Sequence, residues 1–111
     1  MQRDRSGRSG HKDLQVCRQV FDALTYALAE LDDPTIEELS LASVTPAPNA
    51  ARVLVTMVPT RDGIDPATAL ERLRVSMSDL REEVAAELTR KRVPELVFRI
   101  GYADAIEPAI D

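Results

Sequence analysis

Arg90-Lys91-Arg92-Val93-Pro94-Glu95-Leu96-Val97-Phe98-Arg99-Ile100 closes an amphipathic helix on a basic cluster, breaks at a proline and becomes a strand. Proline disfavours helical backbone in the residue before it, so the reading ends the helix near Arg92 or Val93. Beyond Pro94 the residues alternate, which turns Leu96, Phe98 and Ile100 inward and Glu95, Val97 and Arg99 outward. Three cations would then stand at a helix C-terminus, where the helix dipole favours them.

Working back from this junction, Asp65-Pro66 reads as an N-cap followed by a first-turn proline. Ala69, Leu70, Leu73 and Met77 form one helical stripe, and Leu80, Val84 and Leu88 form another. Between them lies Ser76-Met77-Ser78-Asp79. Serines compete for backbone hydrogen bonds, and Ser76 with Asp79 has the spacing of a capping box, so the helix is expected to break and restart there. A helical pair between two strands is the length of connection that returns a strand parallel to its neighbour.

That neighbour is read from residues 39–45 and 52–58, two β-branched alternating runs joined by Pro46-Ala47-Pro48-Asn49-Ala50. They predict an antiparallel hairpin with Val53, Val55 and Met57 facing the helices. Thr60-Arg61-Asp62-Gly63 is a turn-forming loop after Pro59. Further upstream, Leu14, Cys17, Val20, Phe21, Leu24, Ala27, Leu28 and Leu31 recur at steps of three and four, the signature of a helix over 12–31. Asp32-Asp33-Pro34 ends it, and Glu30, Asp32, Asp33, Glu37 and Glu38 make an acidic corner that would repel phosphate.

Residues 1–11 lack apolar periodicity and are expected to form a flexible basic arm. Arg3, Arg5, Arg8 and Lys12 against Asp4 give 4 − 1 = +3 over residues 1–12. The folded domain is read as residues 12–103 and residues 104–111 as a short acidic tail. The whole is an α+β domain in two layers, ordered helix, strand, strand, helix, kink, helix, strand, with three helices on one face of a three-stranded sheet.

Composition removes several function classes. The 111 residues are 44% hydrophobic and 30% charged, a balance that supports one folded core. Aromatic residues are only 4% with no tryptophan, too few for base-stacking platforms. One His and one Cys provide no metal cluster or Cys/His pair, and no glycine-rich phosphate loop occurs. The expectation is no catalytic residue, no metal, no cofactor and no small-molecule substrate. Glu82, Glu83 and Glu87 sit at helical spacings from Arg81, Arg90 and Lys91 and are expected to pair with them. No apolar run reaches the roughly 20 residues of a membrane span, and a single cysteine forms no internal disulfide, so a cytoplasmic protein is expected; it is also expected to be a monomer. The net charge of −5 requires any nucleic-acid contact to come from local clusters of cations.

Over residues 12–103 the chain resembles the ribosome-binding factor A family, which has a type II KH-like fold. The resemblance rests on Arg92-Val93-Pro94-Glu95-Leu96-Val97-Phe98, on Asp33-Pro34 closing the first helix, and on Ala51-Arg52-Val53-Leu54-Val55-Thr56 in the second strand. It implies a ribosome assembly factor that binds the small (30S) subunit and its 16S rRNA during late maturation, without catalysis. The family's alanine-x-glycine break corresponds to Ser76, Met77 and Ser78, so this chain lacks the glycine that would bring backbone close to a phosphate.

The candidate rRNA contacts are Arg72, Arg74, Ser76, Ser78 and Arg81 on the kinked helices, Arg90, Lys91 and Arg92 at the junction, and Arg3, Arg5, Arg8 and Lys12 in the arm. Phosphate contacts of this kind supply affinity and register without reading sequence. A second reading of a different class is a small protein-interaction module whose acidic corner meets a basic partner.

Overall fold

The computed structural model describes the backbone of residues 2–88 and 92–101, and side chains from Lys12 onward within those limits. Helix α1 (Gln2–Glu30) leads into a short helix α2 (Pro34–Glu37), and β1 (Leu39–Asn49) and β2 (Arg52–Pro59) follow as a hairpin. Helices α3 (Pro66–Val75) and α4 (Met77–Glu87) then carry the chain to β3 (Glu95–Ile100). The sheet order is β1-β2-β3, with β1 antiparallel and β3 parallel to the central β2. This is the expected two-layer α+β, type II KH-like architecture.

The strand phases are those the alternation requires. Val53, Val55 and Met57 are buried on the helix side, in register with Leu96, Phe98 and Ile100 of β3. Leu24, Leu73, Leu80 and Val84 close over them from α1, α3 and α4, each almost wholly buried. Phe98 lies beside Val55 as expected but is only half-buried. Cys17 is in the core, where burial and then the nearby Asp13 carboxylate push its thiol pKa up.

Several boundaries differ from the sequence reading. Helix α1 begins at Gln2, so helical backbone occupies the region assigned to a flexible arm. A helix nucleated by its packed part extends at one hydrogen bond per added residue, and Gly7 and Gly10 weaken this without stopping it. Leu14 and Leu70, assigned to buried stripes, are 62% and 37% exposed, because the buried lines run through Val16, Val20, Ala23 and Ala27 on α1 and through Ala69 and Leu73 on α3, and each leucine is turned to the side of its helix away from them. Strand β1 continues through the predicted 46–50 loop to Asn49. It is an edge strand, so Pro46 and Pro48 remove no hydrogen bonds from the sheet interior. Gly63, at φ +91°, makes the turn before α3 in a conformation that disfavours a side chain.

The largest shift is at the junction. Helix α4 ends at Glu87, not at Arg92, and Leu88 already has extended backbone with its side chain in the core. Proline restricts only Val93 before it. At the strand start the Glu95 amide donates to the Ala51 carbonyl at 3.0 Å and Pro94 is fully buried. The last turn of α4 therefore has no basic residue, and the expected dipole-complementing cluster is not there. Arg90 and Lys91 lie outside the described residues, as do the side chains of Arg3, Arg5, Arg8 and His11 and the tail at 104–111.

Candidate nucleic-acid interface

The candidate cations fall into two groups at opposite ends of the molecule. One end holds the α3–α4 kink and the C-terminal end of α1. The break expected at residues 76–79 is present as Ser76, whose φ −90° and ψ 2° separate the two helices. Its cause is different from a capping box, since the Ser76 side chain caps nothing. The backbone joins the helices instead, with the Ser76 amide donating to the Arg72 carbonyl at 3.2 Å and its carbonyl accepting from the Leu80 amide at 3.0 Å.

At this end two of the three arginines are paired within the fold. Arg72 Nε donates to Asp33 Oδ2 at 2.8 Å, and the other Asp33 oxygen caps α2 by accepting from the Thr35 and Ile36 amides at 2.9 and 3.2 Å. Burial works to raise the Asp33 pKa, but the hydrogen bonds from Arg72 and the two amides outweigh it and hold the carboxyl below its ordinary value. Arg74 pairs with Glu71 at 2.7 Å along the same exposed helix face. Among the described residues, Arg81 makes no ion pair with Glu82, Glu83 or Glu87, and the pairing expected with Arg90 and Lys91 lies outside the described residues. Arg81 and Ser78 are exposed, while Asp79 and Glu83 line a cleft against Glu30 of α1. The acidic corner is also partly neutralised: Asp33 has Arg72, and Glu38 takes a two-pronged hydrogen bond from Arg61 at 2.8 and 2.9 Å.

The other end is the hairpin tip. Asp13 Oδ1 accepts from the Ala50 amide at 3.1 Å, which fixes the start of the packed part of α1 beside the turn. The Glu95–Ala51 hydrogen bond brings the residues before β3 to the same place. Lys12, Arg52 and Arg92, all exposed, are therefore gathered here from three separated stretches of chain. Arg52 was missing from the sequence-derived candidates. It lay inside the Ala51–Thr56 strand run, where an outward arginine gives no signal until the partner elements are known. Two carboxylates share this end, Asp13, whose oxygen is occupied by the Ala50 amide, and Glu95, the register partner of Arg52.

This fold, with a parallel third strand returned by a kinked helix pair, is found in known proteins. The crystal structure of ribosome-binding factor A from Thermus thermophilus matches with a TM-score of 0.65 at 23% identity, covering 83% of this chain and 93% of that one. The chain has the fold of ribosome-binding factor A. A Thermotoga maritima protein provisionally described as a ribosome binding factor A, solved by solution NMR, matches with a TM-score of 0.68 at 18% identity, over 80% of this chain and 86% of the other. No protein-family model matches the chain, and no curated protein does. Among the described residues no group of side chains is placed to hold a metal ion, and no helix is long and apolar enough to cross a membrane.

Proposed function

We propose that this protein is a ribosome assembly factor that binds the small (30S) subunit through phosphates of its 16S rRNA, in the cytoplasm and without catalysing a reaction. The observation that carries the reading is the shared fold, which extends over most of both chains in the Thermus match. The contact surface is the hairpin-tip end. Lys12, Arg52 and Arg92 are exposed there, and Arg90 and Lys91 adjoin Arg92 in sequence, as Arg3, Arg5 and Arg8 precede Lys12. Arg81 and Ser78 add a weaker contact at the kink, where Ser78 replaces a close backbone approach with a hydroxyl donor. Arg72 is engaged by Asp33, Arg74 is paired with Glu71 and the Ser76 backbone joins the two helices, so these three are left out of the proposed contact surface.

Phosphate-directed binding has a measurable form, since each neutralised phosphate releases counterions and steepens the dependence of affinity on salt. Sedimentation of the full chain with purified small-subunit particles, at low salt and at raised salt, tests the reading. Association that weakens steadily as salt rises is the expected result. A chain that never sediments with the particles at low salt overturns it, and a chain that binds equally at all salt concentrations overturns the phosphate contact.

A further inference from the structure

Around the C-terminal end of α1 the charge arrangement is unfavourable for the isolated protein. The last turn of α1 has no basic residue, yet Glu30 and then Asp32 add negative charge where the helix dipole is already negative. On one side of this end, Asp79, Glu82 and Glu83 of α4 face Glu30 across a cleft of about 200 Å³ floored by Ala27 and Leu80. On the other side lies an apolar groove of about 450 Å³ between α1 and the first residues of β1, lined by Phe21, Leu28, Ile36, Leu39 and Leu41, with Glu37 at its rim. No Lys or Arg lines either depression. Like charges held together without a counter-charge reduce stability, and a cation supplied from outside relieves them.

The groove is also where the sheet edge is accessible. β1 is an edge strand, and its later part is blunted by a register shift after Leu41 and by Pro46 and Pro48. Leu39, Ser40 and Leu41 precede all of these.

We propose that the α1 C-terminal end docks a short extended segment of a basic protein, which places an aliphatic side chain in the Phe21–Leu41 groove, one lysine or arginine against Glu37 at its rim and, where the segment crosses the helix end toward the α4 cleft, another against Asp32 and Glu30. Charge complementarity selects this occupant, because RNA would be repelled by the same carboxylates. The surface shares no residue with Lys12, Arg52 or Arg92, so the inference stands apart from the rRNA reading and either can fail alone.

The test uses the full chain and two synthetic peptides of equal length and charge, one with lysines spaced by leucines and one with lysines spaced by serines, followed by fluorescence anisotropy. The leucine–lysine peptide is expected to bind at least tenfold more tightly than the serine–lysine peptide. Ala29→Arg, at an exposed position on the groove wall, should weaken its binding at least tenfold. The double variant Glu30→Gln, Glu37→Gln should remove most of its salt dependence. Circular dichroism of both variants confirms folding, and their unchanged binding to small-subunit particles separates this surface from the hairpin tip. Equal binding of the two peptides, or indifference of the leucine–lysine peptide to both variants, would overturn the proposal, as would tighter binding of a single-stranded RNA oligonucleotide to this face.

Discussion

At the kink end, Arg72 lies against a buried carboxylate and Arg74 against a neighbouring one, with the Asp79, Glu82 and Glu83 carboxylates close by. At the hairpin tip, Lys12, Arg52 and Arg92 stand exposed around a turn held by two side-chain hydrogen bonds, Asp13 and Asn49 accepting from the Ala50 and Ala51 amides, and one backbone hydrogen bond. Both ends look basic in the sequence, but at the kink end Arg72 is held by a buried carboxylate and Arg74 is paired with Glu71, which leaves Arg81 as the exposed cation without an ion pair there among the described residues. The difference comes from burial: a carboxylate taken out of water must be matched, so the cation that matches it becomes structural. Counting arginines along a helix therefore overestimates a binding surface wherever a capping aspartate lies within reach.

If the kink end is the structural one, the largest losses of stability should be found there. Leu80, wholly buried below the break, anchors α4 against α1, and Leu80→Ala should cost about 2–5 kcal/mol in chemical denaturation. A loss under about 1 kcal/mol would mean that the restart of α4 is not fixed by packing.

Asp33→Ala should come next, at about 2 kcal/mol, since it removes an N-cap and leaves Arg72 without its acceptor. Its pH dependence has a definite sign. The folded carboxyl titrates below its ordinary value of 3.8, so the stabilisation is fully present above that value and is lost as the pH falls through the folded one. Thermal melts from pH 6 downward should show the wild-type chain and Asp33→Asn converging at the acid end, whereas a constant gap would contradict the ion pair.

Asp13→Ala, the equivalent cut at the hairpin tip, should cost only about 0.5–1 kcal/mol, since a half-buried hydrogen bond to one amide is removed. Its larger consequence should be a looser turn, read as faster hydrogen exchange at Ala50 than in the wild-type chain.

Much of this architecture was legible in the residues. The alternation in Arg52–Pro59 and Glu95–Ile100 fixed which side of each strand faces the helices, because a period of two admits only one phase with an apolar face. Asp65-Pro66 was legible for a similar reason, being a local capping signal: Asp65 accepts from the Thr68 amide at 3.1 Å. The end of α4 was not, since proline acts on one neighbour while the turn at Leu88 depends on where β3 must begin. Helix α2 was hidden because four residues give no periodicity, although Asp33-Pro34 contained its cap. The site was least legible. Arg72 and Asp33 are 39 residues apart in the chain, and nothing local links them.

The central proposal is that the hairpin-tip end, more than the kink, meets rRNA. The most direct measurement compares the salt dependence of binding to small-subunit particles for two folded variants, Lys12→Gln/Arg52→Gln/Arg92→Gln and Arg74→Gln/Arg81→Gln. The hairpin-tip variant should flatten the plot of log affinity against log salt by about 0.7–0.9 for each phosphate it no longer neutralises, and the kink variant by no more than one such step. A kink variant that flattens the slope more than the hairpin-tip variant would contradict the account.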